Sequence, residues 1–595
     1  MTMIFGILFT GQQERETASR PPIPDMLRAA SLNGARELQI CTPHHALLGG
    51  FSPEDVRCLI TDEQNGYTYL VGGEFFAAPF SEPVPDRLDS ARGKNFLHSL
   101  FADDGNVRLR SLDGHFCIVR YCHQSRTMRI INDALGLYPL YMMKAPGWTA
   151  FATEYQVLLE LGFPRTLDIQ FLAEWALYGF GCEGRTPLLD LRSLPPAADV
   201  TIYAGNDAPE ISYACYDDWN YAIDHSLSLE AAAEAVGSLM QKTLAAFLLD
   251  NKVPAMPITG GYDSRLIMAC LPDSVRQSMD WVTICSPHLT ANKDRDVLIA
   301  TQIADTFGLK HSVPQSPSAL KTLPEEQTDL YESLRPLRLE YGIHGHFSGY
   351  LRGLLPDFAA IERDRLSTFR TFFSPDICER AASSFSAITD NRDYGEDENR
   401  ALKYYLLNNI RCFLNHDHLG GGKWLNPITF FWQPLRAPFG VASLHRQLLR
   451  IPARYRRGGL LFLKVMELLD PRMFSLPFTS APFPPEVTQQ LSTPPVKAGM
   501  GTDYQAARTP FWTGMLKESL RSGRAAKREI YSGKWLRQAN ARCIMHAGGE
   551  RILPAYIRNH WRFQKMVPPM ADQHLVKIEN WLWKYGDTPE GILGA

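Results

Sequence analysis

The sequence lacks an excess of charge of either sign. Its 61 lysines and arginines stand against 64 aspartates and glutamates, a formal net charge of −3 over 595 residues. Proteins that hold nucleic acid or an anionic membrane through their overall field carry a marked positive excess. Neither partner is therefore expected, and the short basic run at Arg454–Arg457 favours a solvated face or a domain contact.

Regular cysteine spacing is also missing. Eleven cysteines occur, no CxxC pair is among them, and the tightest pair is Cys117 and Cys122. The pattern argues against a zinc ribbon and against a disulfide framework. We expect reduced thiols and a cytoplasmic protein.

Long apolar runs are absent as well. No stretch approaches the roughly 20 apolar residues that cross a bilayer. The N-terminal segment Met3–Phe9 is apolar but short, and no basic region precedes it. It predicts a buried first strand.

The length of the chain predicts two domains. Residues 1–205 carry short apolar runs between turn residues, which is typical of a mainly β sandwich with some helical cover. The clearest predicted strands are Tyr67–Val71, Phe116–Tyr121, Thr127–Ile131 and Thr149–Ala152, whereas Arg36–Ile40 is ambiguous between strand and helix.

After a polar stretch at 206–227, the pattern changes to alternating helices and strands. Ser228 suits a helix N-cap, and the helix is predicted to run through Leu249. The following elements are predicted: strand Val253–Ile258, helix Ser264–Leu271, strand Trp281–Cys285, helix Asp294–Phe307 closed by Gly308, and a strand near Ser312 and Val313. This order predicts a parallel α/β nucleotide-binding unit, and the chain beyond residue 325 is predicted to be mostly helical.

One loop of this unit is suited to holding phosphate. Thr259-Gly260-Gly261-Tyr262-Asp263-Ser264 joins the first strand to the next helix, and its glycines let backbone N–H groups approach an anion. Asp263 beside a phosphate indicates an intervening cation such as Mg²⁺. The P-loop pattern GxxxxGK[ST] is absent. An ordinary strand-to-helix turn with an N-capping Asp or Ser would give the same residues, so the loop alone leaves both interpretations open.

The loop resembles the SGGxDS pyrophosphate loop of the asparagine-synthetase superfamily, with Thr259 in place of the usual Ser. Asp296–Ala300, followed by Gly308–His311, is similar to that superfamily's D-x-x-x-A helix. Further segments resemble its glutaminase-like domain in order and spacing: Gly114–Phe116, Asp133–Tyr141, Phe151–Glu154 and Leu194–Pro196. The resemblance covers roughly residues 1–480.

This resemblance implies an α/β (α+β overall) architecture. A degenerate glutaminase-like β sandwich of the N-terminal-nucleophile fold (1–205) and a linker (206–227) would precede an AMP-forming ATP-binding domain with a parallel sheet and a helical C-terminal extension (228–595). ATP and Mg²⁺ are the implied ligands, with Asp263 as metal ligand. The implied nucleotide site comprises Ile258, Thr259, Gly260, Gly261, Tyr262, Asp263, Ser264, Ser286, Asp296 and Gly342.

Several differences from the superfamily's motifs indicate which of its members this sequence resembles most. Glutamine-dependent members begin Met-Cys-Gly-Ile, whereas this chain has Phe5 at the cysteine position and residues ahead of it, so glutaminase activity is expected to be absent. An amine on the substrate would then replace ammonia. The loop together with Gly342–His346 and Gln433–Arg436 looks most like the lasso-peptide cyclases. That resemblance implies a precursor-peptide substrate, with a leader-binding protein and a leader peptidase as partners.

Other departures concern the catalytic groups. The superfamily's G-x-G-x-D-E acid has no counterpart at Gly342–Gly349, and glycine falls where its transition-state lysine should be, so Arg457 or Lys464 would have to replace that lysine. Asp263 and Glu340 complete the candidate catalytic groups, and Tyr341 and Glu379 are further candidate bases. The pairs His344/His346 and His416/His418 show no third or fourth zinc ligand, which favours ordinary polar histidines.

The sequence thus predicts ATP-dependent amide formation through an acyl-adenylate, with macrolactam cyclisation of a ribosomal peptide as the preferred reaction. Two alternatives stay open. One is an ammonia-dependent asparagine synthetase or another small-molecule amide synthetase, such as a β-lactam-synthetase-like enzyme. The other is a non-catalytic ATP-binding scaffold, which the missing lysine and acid would favour.

Overall fold

The architecture is known for most of the first 315 residues and for a helical segment further along. The computed structural model describes residues 3–9, 37–43, 45–52, 57–79, 81–102, 105–145, 147–153, 181–186, 188–203, 209–248, 254–285, 289–315, 341–343, 435–479 and 483–496, with the single positions 158, 168, 170, 171, 174, 345, 375, 379, 380 and 382.

The strands occupy two stretches of the chain. Those of the N-terminal part are β1 (Met3–Phe9), β2 (Glu37–Cys41), β3 (Ala46–Ser52), β4 (Leu59–Asp62), β5 (Tyr67–Ala77), β6 (Leu112–Cys122), β7 (Thr127–Asn132), β8 (Tyr141–Ala145), β9 (Trp148–Ala152), β10 (Leu191–Ser193), β11 (Ala198–Tyr203) and β12 (Glu210–Cys215). Those of the second part are β13 (Pro254–Pro257), β14 (Asp280–Val282), β15 (Lys310–Ser312), β16 (Tyr341–Ile343) and β17 (Leu435–Arg436).

The described α-helices are concentrated after residue 228. They are α1 (Ala91–Ser99), α2 (Gly105–Arg110), α3 (Leu229–Phe247), α4 (Tyr262–Cys270), α5 (Asp273–Ser278), α6 (Arg295–Phe307), α7 (Ala442–Arg450), α8 (Ala453–Arg456), α9 (Leu460–Leu469) and α10 (Pro485–Thr488). Short 3₁₀ helices lie at Cys182–Gly184, Pro438–Gly440, Arg457–Gly459 and Pro471–Ser475.

The N-terminal part is a sandwich of two antiparallel sheets. Their strand orders are β10-β8-β9-β1-β3-β2 and β12-β11-β7-β6-β5-β4. Alternation along β6 sends Val119 and Tyr121 into the core between the sheets, where they meet Ile4 and Phe151 of the opposite sheet. The intervening Ile118 faces the other way and joins a second core with the helices.

The second part is built on a parallel sheet of order β15-β14-β13-β16-β17. In chain order this is 3-2-1-4-5, so the chain leaves β13 in one direction and later returns on its other side. The crevice beyond the carboxyl ends of such strands, where the order reverses, is the usual ligand site of open α/β sheets.

A polar seam joins the two parts. Asp113 of β6 accepts hydrogen bonds from the backbone N of Ser443 at 2.9 Å and from its hydroxyl at 2.5 Å. Arg436 donates to both carboxylate oxygens of Glu74, at 3.0 and 2.7 Å. These contacts fix α7 and β17 against the outer face of the second sheet.

The seam includes residues from the stretch predicted as a linker. The indole Nε1 of Trp219 donates to the carbonyl of Ala134 at 3.1 Å, and Asp217 accepts from Arg446 Nε at 2.9 Å. The domain boundaries at 205 and 228 stay predictions.

The structure confirms the predicted fold class, a two-sheet sandwich followed by a parallel α/β unit. The ambiguous segment near residues 36–40 is a strand, β2. The helix after the loop begins at Tyr262 and not at Ser264, because Gly261 takes an extended conformation and serves as N-cap. The strand predicted at 281–285 is shorter and ends at Val282.

The region beyond residue 325, predicted to be mostly helical, also adds two strands to the parallel sheet, β16 and β17. Ser228 caps α3 by accepting from the N–H of Ala231, as predicted, and Gly308 ends α6 in the left-handed conformation, with φ 64°. No helix of the described part is long and apolar enough to cross a membrane.

Candidate nucleotide-binding site

The candidate loop lies at the reversal point of the parallel sheet. It follows β13, the central strand, and leads directly into α4. Ile258 anchors its start, because its N–H donates to the carbonyl of Val282 at 3.0 Å and its carbonyl accepts from the hydroxyl of Thr283 at 2.7 Å. The sequence therefore places the loop where this sheet topology most often binds a ligand.

Three hydrogen bonds shape the loop. The N–H of Gly260 donates to Oδ1 of Asp296 at 3.1 Å, and the N–H of Gly261 donates to the Thr259 hydroxyl at 3.2 Å. The N–H of Thr259 reaches the Ser264 hydroxyl at 3.4 Å. A carboxylate oxygen thus already sits on the N–H of Gly260, which shows that this donor points where an anionic oxygen can lie.

The N-terminus of α4 offers further donors. Its N-cap, Gly261, makes no side-chain capping bond, so no side chain at the cap covers the first N–H groups. Asp263 lies half-buried in the first turn, where the helix dipole favours a negative charge. A Cβ built on Gly345 would lie 3.4 Å from Cβ of Asp263, so Gly345 packs directly on this turn.

Close packing explains the second glycine of the Arg457-Gly458-Gly459 stretch. A Cβ built on Gly459 would lie 2.7 Å from the Tyr262 hydroxyl, and the φ of this glycine is 79°. The buried Tyr262 ring also meets Phe483 edge-on at 5.6 Å. A lysine at 459 would therefore collide with Tyr262, which fills that space.

Arg265 is a site-positioning residue that the sequence analysis missed. Its guanidinium is fully buried and donates to the carbonyls of Met473 at 3.2 Å, Leu476 at 3.0 Å and Pro477. Burial lowers its pKa to about 9. An arginine directly before the apolar run Leu266–Cys270 of α4 was the available signal.

The segment that Arg265 holds reaches the loop itself. The N–H of Thr479 donates to the Gly260 carbonyl at 2.9 Å, and a Cβ on Gly260 would lie 2.4 Å from Cγ2 of Thr479. The loop, Asp296 and Thr479 therefore converge at Gly260, which has no room for a larger residue.

The two candidate replacements for the lysine lie in α9 and in the turn before it. Lys464 Nζ pairs with Glu467 at 2.9 Å and approaches Glu230 at 4.0 Å, at the start of α3. Arg457 is exposed at the start of the 3₁₀ turn Arg457–Gly459. The structure brings Ile258, the 259–264 loop and Asp296 together, and it places Gly342 on β16 beside β13.

Several candidates lie outside the described residues: Glu340, Ser286, His344, His346, His416 and His418. Glu379 is exposed. Among the residues that the structure describes, no group of three or more His, Cys, Asp or Glu side chains is arranged to hold a metal ion.

Phe5 occupies the centre of the first sheet. It lies within β1, between Gly49 of β3 and Ala152 of β9, and is 1% exposed. Its nitrogen is a peptide nitrogen inside a strand. A Cβ on Gly49 would lie 2.4 Å from the Phe5 ring, so the ring fills the space above that glycine. Neither a nucleophilic side chain nor a free α-amine is present at this position.

Comparison with known proteins identifies one domain. Residues 89–213 match the glutamine amidotransferase domain family. The matched segment contains the Asp133 turn, in which the buried carboxylate accepts from the N–H groups of Leu135, Leu137 and Tyr138 at 2.8 to 3.1 Å. The chain therefore carries an amidotransferase-type domain, the kind found in enzymes that form carbon–nitrogen bonds. No curated protein matches the chain at a significant level.

Three solved structures show weak similarity. The allosteric regulatory enzyme of purine biosynthesis is 11% identical, with a TM-score of 0.26 over 59% of this chain and 91% of that chain. The glutamine phosphoribosylpyrophosphate amidotransferase of B. subtilis is 12% identical, with a TM-score of 0.25 over 59% and 92%. The U34-tRNA thiolase of Methanococcus maripaludis is 15% identical, with a TM-score of 0.21 over 33% and 84%.

Proposed function

We propose that this protein forms an amide bond at the expense of ATP, through an acyl-adenylate, and releases AMP and pyrophosphate. One observation carries the proposal. At the reversal point of the parallel sheet, a glycine loop aims the N–H of Gly260 at an anionic oxygen and leads into a helix that has no side-chain cap. Backbone donors at a helix N-terminus suit the two outer phosphates of a nucleotide.

The chemistry needs little from the protein beyond binding and orientation. A substrate carboxylate oxygen forms a bond to the α-phosphorus of ATP while the bond to the pyrophosphate oxygen breaks. An amine then forms the C–N bond, loses a proton, and AMP leaves with the former carboxylate oxygen. Asp263, in the first turn of α4, would hold Mg²⁺, whose charge would offset that of the leaving pyrophosphate.

The source of the amine follows from Phe5. Since phenylalanine cannot release ammonia from glutamine, we propose that the substrate supplies its own amine. A peptide whose N-terminus attacks its own activated Asp or Glu side chain satisfies this, because an intramolecular amine replaces a bimolecular encounter. The product is a macrolactam, as in lasso-peptide cyclases. A precursor peptide, a leader-binding protein and a leader peptidase are the corresponding proposed partners.

The test uses the full chain with ATP, Mg²⁺ and linear peptides that have a free N-terminus and one internal Asp or Glu at varied spacing. We expect AMP in the nucleotide products and loss of one water from a peptide by mass spectrometry. Asp263→Ala should lower both by at least about 1000-fold, or about 4 kcal/mol. Glu234→Ala, an exposed change on α3, is the matched control and should leave both unchanged.

Other outcomes would choose a different function. ADP in place of AMP would contradict the adenylate. Asparagine formed from aspartate and ammonia would favour the small-molecule synthetase. Binding of α,β-methylene ATP without AMP release on any substrate would favour the non-catalytic scaffold, which the pairing of Lys464 with Glu467 supports.

A further inference from the structure

A second candidate site lies far along the sequence from the loop, on the outer face of the second sheet. A cavity of about 470 Å³ opens there, within the range of small-molecule pockets. Strand register builds its floor. Arg120, Arg129, Thr201 and Ser212 are successive cross-strand partners on β6, β7, β11 and β12, so their side chains share one face.

The two arginines of this floor differ in their partners. Arg129 is neutralised by Asp199, to which its Nε donates at 2.8 Å and its Nη2 also donates, while its Nη1 donates to the Phe101 carbonyl at 2.8 Å. Arg120 lies against two rings, 4.9 Å from that of Tyr67 and 4.6 Å from that of Phe101. Within the described part of the chain, the guanidinium of Arg120 makes no hydrogen bond or ion pair.

An unpaired, half-buried guanidinium is unfavourable. Removing a cation from water is unfavourable, and stacking on aromatic rings offsets only part of that cost. Burial lowers the pKa of Arg120, in keeping with this cost. An oxyanion in the cavity would accept two parallel N–H donors from the guanidinium and remove the imbalance.

The net charge of the side chains that line the cavity indicates which kind of oxyanion would bind. The Arg129–Asp199 pair sums to zero, so Arg120 leaves one net positive charge, which matches a monoanion. A dianionic phosphate ester would carry a surplus charge close to Asp199. The hydroxyls of Thr201 and Ser212 add neutral donors, and the Tyr203 ring, 46% exposed, offers an apolar contact.

We propose that this cavity binds a small organic molecule through its carboxylate, which pairs with Arg120 while its apolar part lies along Tyr203. The site is independent of the nucleotide loop. Its occupancy stabilises the sandwich, because the bound anion compensates a charge that folding leaves unpaired.

Benzoate is a suitable probe, followed by saturation-transfer NMR titration on the full chain. Arg120→Met removes the charge but retains an aliphatic chain between the rings, and we expect at least a tenfold weaker affinity for benzoate. Arg108→Met, an exposed change on α2, is the matched control and should not alter the affinity. Benzamide, which has the same ring without charge, should bind at least tenfold more weakly than benzoate.

A second measurement needs no variant. Cys122 lines the cavity and Cys215 is exposed elsewhere, so benzoate should slow alkylation of Cys122 alone, as quantified by peptide mass spectrometry. If Arg120→Met does not fold, Arg120→Lys keeps the charge without the paired donors and should still weaken benzoate several-fold. Unchanged affinity in both variants, unprotected Cys122, or phenyl phosphate binding as tightly as benzoate would overturn the proposal.

Discussion

In the sandwich, Gly49 leaves room for the Phe5 ring, whereas in the parallel unit the backbone N–H groups of Gly260 and Gly261 donate to oxygen atoms of Asp296 and Thr259. Glycine therefore admits a neighbouring ring at the first position, and at the second it admits the Thr479 side chain beside a backbone donor. The first sheet of the sandwich has an apolar side chain, Phe5, at its centre, but the parallel unit keeps polar atoms at the carboxyl end of its central strand. The comparison teaches that close packing at glycine closes the centre of the first sheet, whereas at the parallel sheet it still leaves backbone N–H groups directed at oxygen atoms.

The largest effect on the sandwich is expected from removal of the Phe5 ring. Phe5→Ala should lower the free energy of unfolding by about 3 to 5 kcal/mol, because a buried ring leaves a cavity. Urea unfolding followed by circular dichroism measures the loss, and Phe5→Leu should lose less.

Phe5→Cys should release no glutamate from glutamine, because the nitrogen of residue 5 remains a peptide nitrogen. Glutamate release would mean that the sandwich retains a catalytic centre.

The junction between the halves can be probed by pH. His445 of α7 is buried, and burial lowers its pKa to about 4, while its Nε2 contacts the Phe439 carbonyl at 2.7 Å. The neutral ring contributes full stability above the unfolded pKa of 6.5, and this is lost as the pH falls towards about 4. We expect a loss of about 3 kcal/mol relative to His445→Gln over this window.

Unfolding of wild type and His445→Gln should be measured in parallel from pH 7 to pH 4. Parallel stability curves for the two proteins would contradict the prediction. A transition in which the sandwich alone unfolds would show that the halves are less tightly joined than the seam implies.

A smaller effect should follow from Asp296→Ala. The variant loses the hydrogen bond to the N–H of Gly260, and bonds to charged groups contribute about 1.5 to 3 kcal/mol. We expect about tenfold to hundredfold weaker binding of α,β-methylene ATP by calorimetry, with Asp305→Ala on the same helix as control. Tighter binding would instead show that the carboxylate competes with phosphate for this donor.

Much of the fold could be predicted from local patterns. The apolar stripe of α6, with Asp294 before it and Gly308 after it, predicted that helix, because cap and periodicity lie within one short segment. Strands β16 and β17 could not be found in this way. Each is only two or three residues long, and their pairing depends on partners far away in the chain.

The residues of the candidate site likewise fall into those that a local pattern predicts and those that depend on distant contacts. The loop sequence identified Gly260 and Asp263, but the contact of Thr479 with Gly260 and the anchoring by Arg265 join residues more than two hundred positions apart. The Arg120 cavity likewise depends on the register of four strands, which no local pattern contains. The family resemblance pointed to Asp296, and the structure shows which atom it holds.

Trp219 bonds to Ala134 of the sandwich, and Asp217, two residues earlier, bonds to Arg446 of α7. The stretch between the halves therefore holds them together and does not act as a free linker. Replacing residues 1–227 by the N-terminal half of another protein would remove the hydrogen-bond partners of Arg446 and Ser443, which are Asp217 and Asp113. A working chimera would have to carry over Asp113, Glu74 and the 216–219 segment together with their partners in α7 and β17.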